Sequence, residues 1–212
     1  MANATRVAAL ILAAGVSSRF GANKLLLPFG QTSVVRASTT NALGSRARPV
    51  AVVTGHEQPA IARALDSLPV SFVHNPAYQA GEMLSSIKVG LDWLSQSGAP
   101  PDAALIALAD QPLIPSPVFD RLLAAFERGC GDVIAPRFRH DGPRGHPVLI
   151  ARRLWPAVLA LPAGANVRDL LAAQPEAVTH LIVNTDAVLR DVDTPEAYQE
   201  AVQCLTMRPS NF

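Results

Sequence analysis

The chain has 212 residues, of which 49% are hydrophobic and 17% are charged, and its formal net charge is +1 at pH 7. This length is enough to bury a full core, and this composition excludes a disordered chain and indicates an extensively buried sheet. The small net charge excludes a global basic field for nucleic acid, and no apolar stretch is as long as a membrane span. We therefore predict one domain over residues 1–212, with neither a nucleic acid nor a membrane as partner.

The two cysteines, Cys130 and Cys204, do not have the C-x-x-C spacing of a zinc site or of a redox pair. A disulfide framework is not indicated either, so a reducing, cytoplasmic location is predicted. Cys130 lies between two glycines, and no group that would activate its thiol is close in the sequence. We expect no covalent enzyme intermediate.

The first half of the chain alternates short apolar runs with segments of helical character. The runs are too short for buried helices and are rich in β-branched or small apolar residues, which is typical of strands buried on both faces. The predicted strands are 7–14, 49–54, 70–74 and 103–109. The predicted helices run from a cap at Thr32 or Ser33 to about 43, over 59–68, and from the loop at 78–86 to about 95.

The second half continues the alternation but contains one polar interruption. The segment 137–145, R-F-R-H-D-G-P-R-G, separates two apolar runs and indicates a turn between antiparallel strands. The predicted strands of this half are 132–136, 146–150, 178–183 and 188–192. The predicted helices are 116–128, 152–161, 167–173 and 195–205. Together the two halves predict a three-layer α/β/α Rossmann-like fold, with a mostly parallel sheet and a small antiparallel addition.

The segment 10–24, L-I-L-A-A-G-V-S-S-R-F-G-A-N-K, is a buried strand that runs into a glycine-containing loop with two cations, Arg19 and Lys24. Backbone N–H groups, hydroxyls and fixed positive charges in one loop suit a polyphosphate, because charge-assisted hydrogen bonds to phosphate oxygens are strong. The segment matches neither the Walker A pattern nor G-x-G-x-x-G. The alternative is a glycine-containing turn between strand and helix that binds nothing.

Carboxylates follow two of the predicted strands. Asp110 directly follows the run 103–109, and Asp191 and Asp193 lie in D-V-D-T-P. In open α/β sheets ligands bind beyond the carboxyl ends of the strands, and Mg²⁺ is held by one or two carboxylates plus phosphate oxygens. Asp110 and Asp193 would supply such a pair if their strand ends converge. The alternatives are a turn aspartate at 110 and a helix-capping aspartate at 193.

The segment 10–24 resembles the phosphate loop of nucleotidyltransferases, and more narrowly that of the molybdenum-cofactor nucleotidyltransferases, among them the CTP:molybdopterin cytidylyltransferases. Further runs resemble this family in the same order along the chain: 81–91, 110–112, 145–149 and 191–195. The resemblance implies an enzyme of the nucleotidyltransferase fold. Its implied reaction is the transfer of CMP from CTP to the phosphate of molybdopterin with release of pyrophosphate, Mg²⁺ as cofactor, and a molybdenum hydroxylase as a candidate client.

The resemblance also implies roles for individual residues. Arg19, Lys24 and Asp110 would be catalytic, and Asp110 and Asp193 would bind the metal. His146 and Pro147, in G-H-P-V-L, would lie on the acceptor side, where a structural histidine is the alternative. The residues expected to bind nucleotide are Leu12, Ala13, Ala14, Gly15, Ser17, Ser18, Arg19, Lys24, Gly81, Ser85 and Ser86. For Ser85 and Ser86, capping of a helix is an equally good interpretation.

The base specificity and the acceptor leave alternatives open. A second alanine in Ala13-Ala14-Gly15 goes with CTP in the family, and a methyl group at Ala14 would narrow the base site. A GTP-dependent molybdopterin guanylyltransferase and a sugar-phosphate nucleotidyltransferase are the alternatives of the same class. A non-catalytic protein that binds and delivers the molybdenum cofactor is the alternative of another class.

Overall fold

The computed structural model describes residues 5–16, 23–80, 82–172 and 175–207. Strands and 3-10 turns alternate with helices along these residues. The strands are β1 Val7–Ala13, β2 Pro28–Phe29, β3 Thr32–Ser33, β4 Val50–Thr54, β5 Ser71–His74, β6 Ala103–Leu108, β7 Val133–Arg137, β8 Val148–Ala151 and β9 Val178–Ile182. The helices are α1 Val34–Leu43, α2 Gln58–Ala64, α3 Met83–Ser95, α4 Ser116–Glu127, α5 Trp155–Ala160, α6 Val167–Ala172 and α7 Pro195–Met207.

Seven of the strands form one sheet in the order β5-β4-β1-β6-β8-β7-β9, and β2 and β3 form a separate hairpin. β1 pairs in parallel with β4 and β6, with Leu10 opposite both Ala51 and Ile106. β8 is antiparallel to both β6 and β7, and β9 is parallel to β7. The residues before β8 therefore lie at the same edge of the sheet as the carboxyl ends of the other six strands.

The sheet is covered on both faces because successive side chains of a strand point to opposite sides. In β1, Ala9 and Ile11 pack with the layer that contains α1, α2, α4 and α7. Ala8 and Leu10 pack with the layer that contains α3, α5 and α6. The three-layer fold with a mostly parallel sheet and one antiparallel strand is therefore confirmed.

Most predicted elements are confirmed with small shifts of their bounds. The helix predicted over 59–68 is shorter, since α2 ends at Ala64 and Leu65 already has a non-helical backbone. The segment predicted as helix over 152–161 is divided into a 3-10 turn, Arg152–Leu154, and α5. The prediction of a strand over 188–192 is wrong, because Asp186–Leu189 form a 3-10 turn and the next residues are irregular.

Among the described residues, no helix combines the length and the apolar character that crossing a membrane requires. The organisation of residues 1–212 as one domain stays a prediction.

Candidate active site

The carboxyl edge of the sheet gathers loops that are distant in the sequence. Residues 14–16 follow β1, residues 55–57 follow β4 and residues 109–112 follow β6. Residues 145–147 reach the same edge because β8 runs in the opposite direction. The chain near residue 192 also joins this edge, where the Val192 N–H donates to the Asp110 carbonyl at 2.9 Å.

Lys24 lies between two carboxylates at this edge. Its Nζ is 2.5 Å from Asp110 Oδ2 and 2.5 Å from Asp193 Oδ1. The two carboxylate oxygens are thus separated by no more than twice that distance. The side chains of Lys24 and Asp110 are 14% and 16% exposed, and that of Asp193 is 47% exposed. The structure therefore brings together the three residues that the sequence singled out on three separate segments.

Local backbone structure fixes each member of this cluster. Lys24 opens a short 3-10 turn that is capped by Asn23, whose Oδ1 accepts the Leu25 N–H at 3.1 Å. Asp110 follows the buried strand β6, and Asp193 precedes α7. Beside them Gln111, which is 3% exposed, donates through Nε2 to Asp191 Oδ1 at 2.5 Å. This hydrogen bond ties the loop after β6 to the segment that carries Asp193.

The charges of the cluster shift the pKa values of its members. Burial alone would lower the pKa of Lys24, but the negative charges of Asp110 and then of Asp193 outweigh it and raise this pKa. Burial raises the pKa of Asp191, and the nearby charge of Asp110 adds to the rise. Lys24 therefore stays an ammonium at neutral pH and partly neutralises a site that is otherwise acidic.

The donor set of the cluster fits a small divalent cation. Asp110 Oδ1 is buried and has no hydrogen-bond partner among the described residues, which leaves it available as a ligand. Carboxylate oxygens are the ligands that Mg²⁺ and Mn²⁺ prefer, and one or two of them suffice when phosphate oxygens complete the shell. Within the described ranges no group of three or more His, Cys, Asp or Glu residues could hold a metal by itself. The assignment of Asp110 and Asp193 as metal ligands stays a prediction.

A cavity of about 210 Å³ opens beside this cluster. Its walls include five of the residues predicted to bind nucleotide, together with Asp110 and with side chains that the sequence did not single out. The lining residues are Leu12, Ala14, Gly15, Lys24, Leu25, Tyr78, Glu82, Met83, Ser86, Leu108 and Asp110. A Cβ built on Gly15 would meet nothing within 4 Å, so the backbone at this glycine faces open space.

Other predicted contacts lie elsewhere or outside the described residues. Ala13 is 1% exposed and packs in the core, so only its backbone is left to contact a ligand. Ser17, Ser18, Arg19 and Gly81 lie outside the described residues.

The hydroxyls of Ser85 and Ser86 belong to a buried hydrogen-bond group. Asn75, which is fully buried, donates through Nδ2 to Ser85 Oγ at 2.9 Å and to Ser86 Oγ at 3.0 Å. Ser85 Oγ also donates to the Glu82 carbonyl at 2.8 Å. Ser86 lines the cavity as well, whereas the contacts of Ser85 favour the structural interpretation. Direct contacts from these serines to a nucleotide stay a prediction.

A second cavity, of about 380 Å³, adjoins the first, and Glu82 and Met83 line both. His146 lines it together with Arg144 and Arg168. Arg168 was not identified from the sequence, because it lies in a short helix more than twenty residues from the motif around His146 and belongs to no recognisable pattern.

The backbone around His146 is fixed by close contacts. The His146 N–H donates to the Val188 carbonyl at 3.0 Å, and the Gly145 N–H donates to the Pro136 carbonyl at 2.9 Å. A Cβ on Gly145 would lie 2.2 Å from the Val188 carbonyl oxygen, so only glycine fits there. Burial, followed by the charge of Arg168, lowers the pKa of His146 to about 4. The imidazole is therefore neutral at physiological pH.

The end of β1, the cluster of Lys24, Asp110 and Asp193, and two adjoining cavities lie at one edge of the sheet, as the sequence predicts for a nucleotidyltransferase. Comparison with known proteins agrees with this class, since the sequence profile of the MobA-like NTP transferase domain matches residues 9–178. The chain belongs to this family and is an enzyme of the nucleotidyltransferase class.

Relatives of known sequence include two enzymes of molybdenum cofactor metabolism. The chain is 27% identical over 198 residues to the molybdenum cofactor cytidylyltransferase of Escherichia coli, which covers 93% of this chain and 96% of that protein. It is 28% identical over 120 residues to the molybdenum cofactor guanylyltransferase of Rhodobacter capsulatus, covering 57% of this chain and 59% of that protein.

Among solved structures, the Mycobacterium tuberculosis protein Rv0371c superposes with a TM-score of 0.81 at 23% identity, covering 95% of this chain and 100% of that chain. A manganese complex of Rv0371c superposes with a TM-score of 0.75 at 24% identity, covering the same shares of the two chains. At these identities the likeness establishes the fold.

Proposed function

We propose that this enzyme transfers CMP from CTP to the phosphate of molybdopterin and releases pyrophosphate. The observation that carries the proposal is the cluster of Lys24, Asp110 and Asp193 at the first cavity, which opens into a second cavity with basic residues. One cavity would hold the nucleotide and the other the acceptor, with the reacting phosphates between them. The similarity to a molybdenum cofactor cytidylyltransferase over most of the chain supports the choice of substrates.

In the proposed reaction an oxygen of the acceptor phosphate attacks the α-phosphorus of CTP. The bond from this phosphorus to the oxygen that bridges it to the β-phosphate breaks, and pyrophosphate takes the electron pair. Phosphoryl-type transfer requires mainly positioning and charge neutralisation from the protein. Lys24 and Arg19 would bind the triphosphate and neutralise the departing pyrophosphate.

Asp110 and Asp193 would hold a divalent cation, Mg²⁺ in this proposal. When bound, such a cation neutralises phosphate charge and polarises the phosphorus that is attacked. The buried, unpartnered Asp110 Oδ1 supports the fit of a hard cation, and the manganese complex of Rv0371c is consistent with it. With a cation bound to the two carboxylates, Lys24 would instead pair with the phosphates.

The acceptor would occupy the second cavity. Arg144 and Arg168 supply fixed positive charges for a phosphate there, because guanidinium groups bind phosphate oxygens through paired hydrogen bonds. The neutral His146 offers one ring nitrogen as donor and the other as acceptor, which suits the polar edge of a pterin. A hydroxylase client stays a prediction of the family resemblance. A cytoplasmic location stays a prediction from the two cysteines.

CTP is the proposed nucleotide because Ala14 lines the first cavity, and a second alanine at this place goes with CTP in the family that the sequence resembles. GTP is the second candidate, and the similarity to a guanylyltransferase over part of the chain is the observation that favours it. CTP and GTP differ in the volume of the base, so comparing the activity of the enzyme with each nucleotide distinguishes the two candidates.

The test is a pyrophosphate-release assay with CTP, GTP and ATP, each with and without molybdenum-containing molybdopterin, at fixed Mg²⁺. We expect release only when CTP and the cofactor are both present. Release with GTP in preference to CTP would assign a guanylyltransferase, and release with a sugar phosphate in place of the cofactor would assign a sugar-phosphate enzyme. Tight binding of the cofactor with no release from any nucleotide would indicate a carrier.

A further inference from the structure

Among the described residues that line the first cavity, Tyr78 is the one with an aromatic side chain. Tyr78 follows β5 and opens the short 3-10 turn Tyr78–Ala80. Its side chain is partly buried and lines the cavity with Ala14 and Gly15. We infer that the ring of Tyr78 is the surface on which the nucleobase stacks. This inference rests on the proposed nucleotide site and identifies the residue that binds the base in it.

The order of the strands places Tyr78 where the base would lie. Tyr78 follows β5, whereas Asp110 follows β6, and β4 and β1 lie between these strands. Tyr78 itself lies against Gly55, the residue after β4, and near the Ala14 carbonyl at the end of β1. Asp110 lies on the other side of β1, at the end of β6. A nucleotide with its phosphates at Lys24 and Asp110 would have its base toward β4, on the side of the cavity that Tyr78 lines. The acceptor cavity lies beyond β6 on the β8 side, away from Tyr78.

The position of Tyr78 is fixed by its contact with Gly55, the residue after β4. A Cβ built on Gly55 would lie 2.4 Å from Tyr78 Cβ, 2.7 Å from Tyr78 Cγ and 2.9 Å from the Ala14 carbonyl oxygen. Only a residue without a side chain lets the tyrosine come this close to the end of β1. The centroid of the ring is also 6.2 Å from that of His56 and 6.3 Å from that of His74.

Hydrogen bonds to Asn75 hold the turn that carries Tyr78 in place. The Tyr78 N–H donates to the Asn75 carbonyl at 3.3 Å, and Asn75 Oδ1 accepts the Ala77 N–H at 3.0 Å. The Nδ2 group of Asn75 reaches Ser85 and Ser86 at the start of α3. Through these contacts the two serines help to position Tyr78, so that its ring is pre-organised for a ligand.

A pre-positioned aromatic ring suits a nucleobase because every base presents a π-face to it. The Tyr78 hydroxyl has only a long contact, 3.5 Å, from Gln79 Nε2 among the described residues. The hydroxyl is therefore not what holds the side chain in place, and the ring is expected to act through its face.

The test compares two probes by calorimetry in the same MgCl₂ buffer: CTP, and inorganic tripolyphosphate, which has the phosphates without a base. For Tyr78→Ala we expect a loss of CTP affinity of about five- to a hundredfold, the range seen when base–aromatic stacking is removed. Tripolyphosphate affinity should change by less than about twofold, since the phosphate end of the site is untouched. Tyr78→Phe keeps the ring and should retain CTP affinity within about threefold. Gln79→Ala, a change at the exposed neighbouring residue, is the matched control and should behave like the unaltered protein.

Equal losses for CTP and tripolyphosphate in Tyr78→Ala would overturn the inference, because they would indicate a distorted site. Unchanged CTP affinity in this variant would overturn it too. An unaltered protein that binds neither probe would instead refute the proposed nucleotide site, and the assignment of Tyr78 with it.

Discussion

At the scale of single residues, Lys24 is the side chain that joins the two acids of the cluster. It is a mostly buried cation within hydrogen-bond distance of two acids, and its raised pKa keeps it charged. Removing one partner of such a group leaves the remaining charges poorly compensated. In the proposed function, phosphates and a divalent cation would replace these internal contacts.

The first prediction at this scale concerns Lys24→Ala and Asp110→Ala. Each variant should lose about a hundred- to a thousandfold in turnover, as is typical when one electrostatic contact to a reacting group is removed. The measurement is pyrophosphate release at saturating nucleotide, with circular dichroism to establish that the variants are folded.

The matched control is Asp102→Ala, which removes a carboxylate from the opposite end of β6. Asp102 accepts the Arg6 N–H at 3.0 Å and pairs with Arg152 at 3.3 Å, well away from the cavities. Its turnover should be close to that of the unaltered enzyme. Near-normal rates in both Lys24→Ala and Asp110→Ala would contradict the roles assigned to them.

Single residues also show how far the sequence is informative. Lys24, Asp110 and Asp193 could be named in advance because each lies in a short run with a recognisable order of residue types. Tyr78 and Arg168 could not be named in advance, because what distinguishes them is a neighbour in space. For Tyr78 this neighbour is Gly55, and for Arg168 it is Arg144. No local pattern records such a contact.

At the scale of elements, the segment 186–194 shows where periodicity misleads. Its apolar residues predicted a strand, and Val188 and Val192 are indeed buried. Yet both edges of β6 are already paired, with β1 and β8, so no strand can be added beside Asp110. The segment instead crosses the end of β6, where Val192 bonds to the Asp110 carbonyl and Gln111 bonds to Asp191.

The Gln111–Asp191 hydrogen bond is predicted to position the two acids for the metal. Asp191→Ala removes the acceptor and should raise the KM for Mg²⁺ about tenfold or more, as is usual when a group that orients a ligand is lost. Asp191→Asn keeps an oxygen for Gln111 and should stay within about threefold of the unaltered enzyme. The measurement is the dependence of pyrophosphate release on Mg²⁺ concentration, and equal effects of the two substitutions would show that the charge of Asp191 matters and the hydrogen bond does not.

At the scale of the whole molecule, the layers could be predicted but the order of the strands could not. Apolar runs buried on both faces imply helices on both sides of a sheet, whatever the pairing. The pairing of β8 between β6 and β7 decides that His146 reaches the same edge as Lys24. That arrangement is set by contacts between distant segments, and the antiparallel turn was the only trace of it in the sequence.

The same long-range packing makes global stability depend on the protonation of His146. Its pKa is about 4 in the folded protein against 6.5 for an ordinary histidine, because it is buried and near Arg168. Between these two values the unfolded chain binds a proton that the folded chain does not, so stability falls as pH falls below about 6.5 and the loss is complete near pH 4. From pH 7 to pH 5 this amounts to about 2 kcal/mol in the free energy of unfolding.

We predict that His146→Gln, which cannot be protonated in this range, loses about 2 kcal/mol less stability between pH 7 and pH 5 than the unaltered protein does. Urea unfolding at the two pH values measures this difference directly. The comparison is within each protein, so any general cost of the substitution cancels. An equal loss in both proteins would contradict this prediction, because it would mean that folding leaves the pKa of His146 unchanged.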